Sequence, residues 1–496
     1  MANSVKKNLM YSVVFTYVEF ILGLVITIII ARALGPSDYG LYSYLLRVAA
    51  ILLVVVNAGV STGVLRFIAE YTNAPSEQQK VLGYTVYKFY KKIQLVKTFV
   101  VLLAFYGLGQ HVFGWVVDVE QAVLLLVVTV AVGFKSYYMF CVGALKGIER
   151  FDLLAKISFL ALPVNLFAVA FGAWLDAGLD YYVWVYLAAS CFFLIMALAF
   201  MKGLFQKGQQ LCLVSNFEQR SKDYVKIVAL STVIGTLLFG YVEVFYLKLY
   251  TDIEHVGFFN LGFMIAGAAI ALVPGVYNAI LMPRVVKHVS NAQVGENSPE
   301  FVFGIIRHML ILHLAVSLPA AVYAPELMSF LFGEQYSAVA RVLTCLLIVN
   351  LVKSVIDPTN AFLVSHDKQG RLLILNGLML CVSVLLGFVF VSRFGLYGAT
   401  ISYSITLGLL ALGQLILVRQ ALGSFALKKE IFKVILASVM AIVVVIYLVQ
   451  FPWAIVNVIF GSALFLFLFV VFLWRLDGFT KEEIAEWKAV VRTIRR

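Results

Sequence analysis

The stretch LMYSVVFTYVEFILGLVITIII, residues 9–30, decides the class of this protein. Glu19 is its one charged residue, and an apolar run of about 20 residues is long enough for a helix to cross a bilayer. The hydrophobic region of a secretory signal peptide is shorter, at about 7–15 residues. We therefore interpret residues 9–30 as a retained first transmembrane helix.

Thirteen further apolar segments follow along the chain. The whole sequence is 62% hydrophobic and 13% charged, whereas soluble domains carry about 25% charged residues. These features predict an all-α polytopic membrane protein with about 14 transmembrane helices. The predicted segments are 9–30, 40–66, 93–112, 121–144, 156–175, 182–201, 227–249, 257–282, 305–324, 338–358, 372–391, 397–418, 433–450 and 454–474.

Basic residues are concentrated in the loops on one of the two sides of the membrane that these segments define. With the N-terminus inside, thirty Lys and Arg residues lie on the inner side and four on the outer side. Because Lys and Arg collect in cytoplasmic loops, this asymmetry predicts a cytoplasmic membrane protein with both termini in the cytoplasm. It also accounts for the net charge of +12 without nucleic acid as a partner.

The chain contains a weak internal repeat. Gly40 and Gly257 stand in similar motifs at an offset of 217, and Arg150 and Lys368 follow similar positions at an offset of 218. The repeat predicts two six-helix lobes in parallel orientation, related by an axis along the membrane normal. The predicted organisation is an N-lobe at 1–201, a cytoplasmic linker at 202–226, a C-lobe at 227–418, two C-terminal helices within 433–474 and a tail at 478–496.

The tail has the pattern of a helix that lies on a membrane surface. Thr480 and Glu483 have capping-box spacing, and Ile484, Trp487 and Val491 then fall on one face among basic residues. We expect an amphipathic helix on the inner surface of the membrane. A frayed basic end is the alternative.

Five short motifs carry a family resemblance. They resemble the first outer loop, the second helix, the inner loop after the fourth helix and the start of the twelfth helix of polysaccharide flippases. These flippases belong to the multidrug/oligosaccharidyl-lipid/polysaccharide exporter superfamily. The motifs are ARALGPSDYGLY at 31–42, NAGVS at 57–61, RFIAEY at 66–71, KGIERF at 146–151 and FGLYGA at 394–399.

The resemblance implies a lipid-linked glycan as substrate and membrane lipids as surroundings. It further implies translocation of a polyprenyl-diphosphate-linked oligosaccharide by rocking of two lobes, with glycosyltransferases or a polymerase of the same pathway as possible partners. Many relatives carry an Asp where this chain has Asn57. A coupling carboxylate at that position is therefore absent here, and Asn57 is instead a candidate ligand for sugar hydroxyl groups.

Three basic residues inside predicted helices are candidates for binding the substrate. An ionisable group inside a membrane costs about 2.5–3.5 kcal/mol on insertion scales, so it usually faces a cavity or a partner. Arg47 and Lys135 would suit a diphosphate or an acidic glycan. Lys97 lies one turn from the inner surface, and extension of its side chain to that surface is the competing interpretation.

Acidic residues and one further lysine are candidates for coupling or charge balance. Glu19 lies near the middle of its helix, where it either neutralises Arg47 or Lys135 or binds a proton or cation. Glu243 is closer to a helix end. Lys353 and Asp357 are four residues apart, which suits an ion pair within one helix.

Several classes of function lack their sequence signatures. There is no phosphate-binding Gly-x-x-x-x-Gly-Lys-Ser/Thr loop, zinc-ligand spacing or Gly-x-Ser-x-Gly elbow, so we expect no catalytic residues, cofactor or metal. A drug/cation antiporter of the same superfamily and a membrane-embedded glycan-transfer enzyme remain the alternatives. A lipid II flippase differs from the favoured reading only in its cargo.

Overall fold

The computed structural model describes residues 2–72, 76–112, 119–205, 217–271, 299–422, 429–476 and 478. Within these ranges the regular secondary structure is helical, which confirms the all-α prediction. The chain forms two compact units, Met1–Gly257 and Phe258–Arg496. The predicted tail helix lies outside the described residues.

The first unit contains α1 to α8 and the beginning of α9. Their order follows the apolar segments of the sequence, with short loops between them. The helices are α1 Ala2–Asn57, α2 Val60–Thr72, α3 Ser76–Val112, α4 Val119–Gly147, α5 Phe151–Trp174, α6 Leu179–Met201, α7 Phe217–Leu237, α8 Tyr241–Tyr250 and α9 Ile253–Ala271.

The second unit contains the rest of α9 and α10 to α16. Two 3₁₀ turns, Glu334–Tyr336 and Asn350–Val352, flank α12. The helices are α10 Pro299–Val322, α11 Ala324–Phe332, α12 Ser337–Val349, α13 Lys353–Ser365, α14 Gln369–Leu422, α15 Lys429–Leu448 and α16 Ala454–Arg475.

Glycines break the two longest helices. Gly35 in α1 has φ 72° and Gly395 in α14 has φ 53°, backbone values that L-residues with a Cβ rarely adopt. Each break falls between two predicted segments, so α1 and α14 each hold two of them. Helix α1 is therefore kinked at Gly35-Pro36 without an intervening loop.

The described residues contain ten helices long and apolar enough to cross a membrane, or eleven if the bent pair α7 and α8 is one span. Two of the ten, α1 and α14, hold two predicted segments each, and α3 holds the segment at 93–112. The described parts of all fourteen predicted segments thus lie mainly on helices, with residues 272–282 of the eighth segment outside the described residues. The structure agrees with about fourteen transmembrane helices in a multi-pass membrane protein.

Some boundaries differ from the predicted ones. Helix α7 begins at Phe217, so the second half of the predicted linker at 202–226 is helical. The segment at 40–66 is interrupted after Asn57, because Gly59 has φ 76°. The compact units divide after Gly257, whereas the lobe boundaries inferred from the repeat lie near 201 and 227 and stay a prediction.

Candidate substrate and coupling sites

The interruption between α1 and α2 brings three polar groups together. The Nζ of Lys97 on α3 donates a hydrogen bond of 2.8 Å to the carbonyl oxygen of Ala58. That carbonyl lies in the break, where the helical hydrogen-bond ladder stops. Asn57 accepts a hydrogen bond of 3.3 Å from Ser61 through Oδ1, while its Nδ2 is buried without a hydrogen-bond partner among the described residues.

Lys97 therefore has a structural contact that neither sequence interpretation anticipated. It binds backbone at a helix break, and its side chain is partly exposed.

Arg47 packs on an aromatic ring of α8. Its guanidinium carbon lies 4.8 Å from the centre of the Tyr241 ring, a cation–π distance. The bent junction of α7 and α8 at Gly240, with φ 81°, sets the position of Tyr241. Glu243, two residues later, is fully buried.

Lys135 on α4 makes the matching contact with α6. Its Nζ lies 4.9 Å from the centre of the Tyr186 ring. Glu19 on α1 interacts electrostatically with Lys135 and accepts a hydrogen bond of 3.0 Å from the hydroxyl of Ser158 on α5. Tyr138, also on α4, is hydrogen-bonded to the same serine. Lys146 acts on the Glu19 carboxylate more strongly than Lys135 does, and the role of Glu19 in charge balance or coupling stays a prediction.

Tyrosines connect the surroundings of the two cations. Tyr39 interacts with Arg47, and its ring centre lies 6.4 Å from that of Tyr42. Tyr42 in turn interacts with Tyr186, the ring that Lys135 contacts. We call Tyr39, Tyr42 and Tyr186 the tyrosine layer: Arg47 interacts electrostatically with Tyr39, and Lys135 contacts the ring of Tyr186.

The second unit has its own polar cluster. Lys353 and Asp357 lie one turn apart on α13, and their charges act on each other. Lys353 also acts on His313 of α10. His313 is fully buried, and both its ring nitrogens lack a hydrogen-bond partner among the described residues.

Neighbouring polar residues of the second unit are paired. The hydroxyl of Tyr403 donates to Oδ1 of Asn350 at 3.2 Å. The hydroxyl of Thr359 donates to Oε1 of Gln414 at 2.6 Å. These hydrogen bonds join α13 and the 3₁₀ turn before it to α14, a common role of polar residues within membrane helices.

The motif at 146–151 ends in an ion pair. Arg150 donates two hydrogen bonds to Asp152, at 2.8 and 3.0 Å. These hydrogen bonds hold the pKa of the Asp152 carboxyl below its usual range. The motif is therefore structural, since it fixes the turn between α4 and α5.

The structure distributes the eight predicted residues over three clusters. Two belong to the first unit and one to the second. The predicted residues are Asn57 and Lys97 at the helix break; Arg47 and Lys135 on tyrosine rings, with Glu243 two residues after Tyr241 and Glu19 hydrogen-bonded to Ser158; and Lys353 and Asp357, whose lysine acts on His313. Among the described residues, no three metal-ligating side chains lie close enough to hold a metal ion.

Four partners of these residues were missed from the sequence. Tyr186, Tyr241 and Ser158 lie far along the chain from the charges they contact, and nothing local to them signals the pairing. His313 had a signal, a histidine inside an apolar segment.

The family model for "Polysaccharide biosynthesis protein" matches residues 5–289, more than half of the chain. The chain belongs to this family. The match includes every helix of the first unit and both of its polar clusters. No curated protein matches the chain.

Solved structures extend the likeness to the whole fold. "Lipid II flippase MurJ, inward closed conformation" is 14% identical, with a TM-score of 0.73 over 94% of this chain and 99% of that chain. An inward-facing multidrug resistance MATE family transporter of the MOP superfamily is 14% identical, with a TM-score of 0.68 over 81% and 94%. An outward-facing transporter of that family is 16% identical, with a TM-score of 0.57 over 85% and 95%.

The family match confirms the polysaccharide family that the sequence motifs indicated. At such low identity the structures establish the fold only, because one fold carries several cargoes. The chain is therefore a multi-pass membrane protein of the polysaccharide biosynthesis family with a fold like those of MurJ and MATE transporters.

Proposed function

We propose that this protein is a flippase that moves a polyprenyl-diphosphate-linked oligosaccharide across the cytoplasmic membrane by alternating access. The observation that carries the proposal is that Arg47 and Lys135 both lie over tyrosine rings of the first unit, at 4.8 Å from Tyr241 and 4.9 Å from Tyr186. The family match and the MurJ-like fold support the same class of cargo.

The layer has the chemistry that a glycan diphosphate requires. A guanidinium stacked on a ring keeps N–H donors around its edge, and these suit phosphate oxygens. The ammonium group of Lys135 offers a second positive charge, and tyrosine rings are good surfaces for sugars because they are apolar with a polar tip. Lys97 and Asn57 add a lysine and an amide donor at the helix break.

The remaining charges serve coupling or charge balance. Glu19 lowers the net positive charge beside Lys135, and buried Glu243 follows the ring that Arg47 contacts. Lys353 and Asp357 form the corresponding pair in the second unit. The substrate tail stays among membrane lipids, and glycosyltransferases or a polymerase of the pathway supply and consume the cargo. None of these steps needs an enzymatic activity of this chain.

Mass spectrometry of polyprenyl-linked glycans in cells with and without the gene tests the proposal. We expect one completed lipid-linked oligosaccharide to accumulate on deletion, and the gene to reverse this. The Arg47→Ala/Lys135→Ala variant should fail to reverse it at equal expression. The matched control, Lys156→Ala/Lys202→Ala, removes the same charge from exposed positions and should restore the wild-type pattern.

A lipid II flippase is the second candidate, favoured by the MurJ-like fold over 94% of the chain. Its mark in the same measurement is accumulation of lipid II in place of a pathway oligosaccharide. An unchanged glycolipid pool with altered resistance to cationic drugs would instead support the antiporter.

A further inference from the structure

Helix α3 has two different faces. Tyr90 and Gln94 are fully buried, and Lys97 on the same side binds the Ala58 carbonyl. The opposite face carries lysines at one end and large apolar side chains at the other. We call this face the α3 stripe, and its residues are Lys88, Lys91, Lys92, Leu95, Phe99 and Leu103.

The stripe is continuous because its residues follow the helical repeat. Steps of three and four residues keep side chains on one side of an α-helix, and the stripe advances by such steps after the adjacent pair Lys91 and Lys92. All three lysines are exposed. Leu95, Phe99 and Leu103 are 52%, 69% and 62% exposed.

The charge of the stripe has one sign. The sequence has no Asp or Glu between Glu77 and Asp118, so no carboxylate of α3 neutralises the three lysines within the stripe. Exposed apolar residues that follow the lysines along the helix axis lie in the hydrocarbon of the bilayer if α3 spans it. The lysines then lie at headgroup level, where each basic residue near an anionic membrane surface raises affinity by about fivefold.

We propose that the α3 stripe binds an anionic glycerophospholipid, with its phosphate on Lys88, Lys91 and Lys92 and an acyl chain along Leu95, Phe99 and Leu103. From Lys91 to Leu103 the stripe is about 18 Å long at 1.5 Å per residue. One leaflet of hydrocarbon is about 15 Å thick, half of the 30 Å core. The length of the stripe therefore matches a lipid that stays in one leaflet. Its exposed lysines can bind a lipid phosphate on an open surface, where no cavity encloses a glycan.

The bound lipid also steadies the helix break. The lipid binds one face of α3, and Lys97 lies on the opposite face. A lipid that holds α3 in place therefore favours the hydrogen bond from Lys97 to the Ala58 carbonyl. The proposal does not depend on the identity of the transported glycan.

Native mass spectrometry of the full chain in detergent, titrated with phosphatidylglycerol or phosphatidylcholine, tests the proposal. We expect phosphatidylglycerol to bind at least tenfold more tightly than phosphatidylcholine. The Lys88→Gln/Lys91→Gln/Lys92→Gln variant should lose this preference, since three lysines together contribute roughly a hundredfold. The control Lys156→Gln/Lys202→Gln/Lys226→Gln removes the same charge from other exposed sites and should keep it.

The other outcomes overturn the proposal. An equal loss of the phosphatidylglycerol preference in both triple variants would mean a general charge effect. Equal binding of phosphatidylglycerol and phosphatidylcholine to the wild-type protein would mean that the stripe is an ordinary lipid-facing surface. Displacement of bound phosphatidylglycerol by equimolar polyprenyl diphosphate, with tighter binding of the latter, would assign the stripe to the transported lipid. Apparent melting temperatures of both variants in lipid-free detergent check that each is folded.

Discussion

Gly40 of α1 and Gly257 of α9 lie against each other: a Cβ on Gly257 would stand 2.9 Å from the Cα of Gly40. A Cβ on Gly40 would in turn collide with the backbone carbonyl of Ile253. These are the same two glycines that the internal repeat pairs at an offset of 217. The two glycines therefore allow the backbones of α1 and α9 to approach closely.

We predict that Gly40→Ala destabilises the protein by about 1–3 kcal/mol, the usual cost of overpacking. The backbone atoms that face the new methyl group cannot rotate away as a side chain would. Gly23→Ala in the same helix is the matched control, because a Cβ there meets nothing within 4 Å. It should be neutral or stabilising by up to about 1 kcal/mol. Equal melting temperatures for the two variants in detergent would contradict the close approach.

Lys97 supports a second prediction. Lys97→Met removes the donor to the Ala58 carbonyl, and an unsatisfied polar group costs about 1–3 kcal/mol when it is shielded from water. We expect a lower melting temperature, with Lys97→Arg retaining most of the stability. Lys226→Met, at an exposed position, is the control. Unchanged stability together with lost transport would assign Lys97 to the substrate instead.

Glu70 on α2 and Arg220 on α7 support a third prediction. Arg220 donates two hydrogen bonds of 2.9 Å to the Glu70 carboxylate. The pair is partly exposed, at 54% for the arginine side chain and 38% for the glutamate, so we expect a coupling free energy of about 0.2–1 kcal/mol in a double-mutant cycle. Exchanging the charges, Glu70→Arg/Arg220→Glu, should recover part of the loss of each single variant. Additive losses would show that the pair does not form.

Phe67 lies beside that ion pair, and its replacement should reduce the stability more than loss of the ion pair does. It is 1% exposed and packs against Tyr90, Phe217 and Tyr224. Phe67→Ala creates a cavity in this cluster and should cost about 3–5 kcal/mol. Phe167→Ala, on an outward face of α5 at 72% exposure, is the control and should change the melting temperature little. A smaller effect for Phe67→Ala than for Phe167→Ala would contradict the described packing.

His313 supports a prediction of increased stability, whereas the preceding variants are expected to lose stability. Because both ring nitrogens are buried without a hydrogen-bond partner among the described residues, replacement by an apolar ring removes a desolvation cost of about 1–3 kcal/mol. We expect His313→Phe to raise the melting temperature. Reduced transport in this more stable variant would give His313 a role in coupling. A loss of stability would instead reveal a hydrogen-bond partner.

The sequence predicted the helices well because hydrophobic length is a local property. Short stretches of sequence contain the features that define the helices. These are the apolar segment at 9–30, which is part of α1, and the glycines at 35 and 395, where α1 and α14 are kinked. The break at Gly59 was missed because the apolar pattern continues through it.

The candidate sites were less predictable, because their partners are distant in sequence. Lys135 and Glu19 were identified from the cost of a charge in lipid. Their neighbours Tyr186 and Ser158 depend on how α4, α5 and α6 pack, and Ser158 lies 139 residues from Glu19. No local pattern contains that information.

The most direct test of the account is a flipping assay with the purified protein in vesicles that contain a polyprenyl-diphosphate-linked oligosaccharide. A membrane-impermeant glycosidase added outside removes the exposed glycan, and the protected fraction is then followed over time. The account predicts that the protected fraction falls towards zero with the wild-type protein and stays constant with Arg47→Ala/Lys135→Ala. A protected fraction that remains constant with folded wild-type protein, for every lipid-linked glycan of its own pathway, would contradict the flippase.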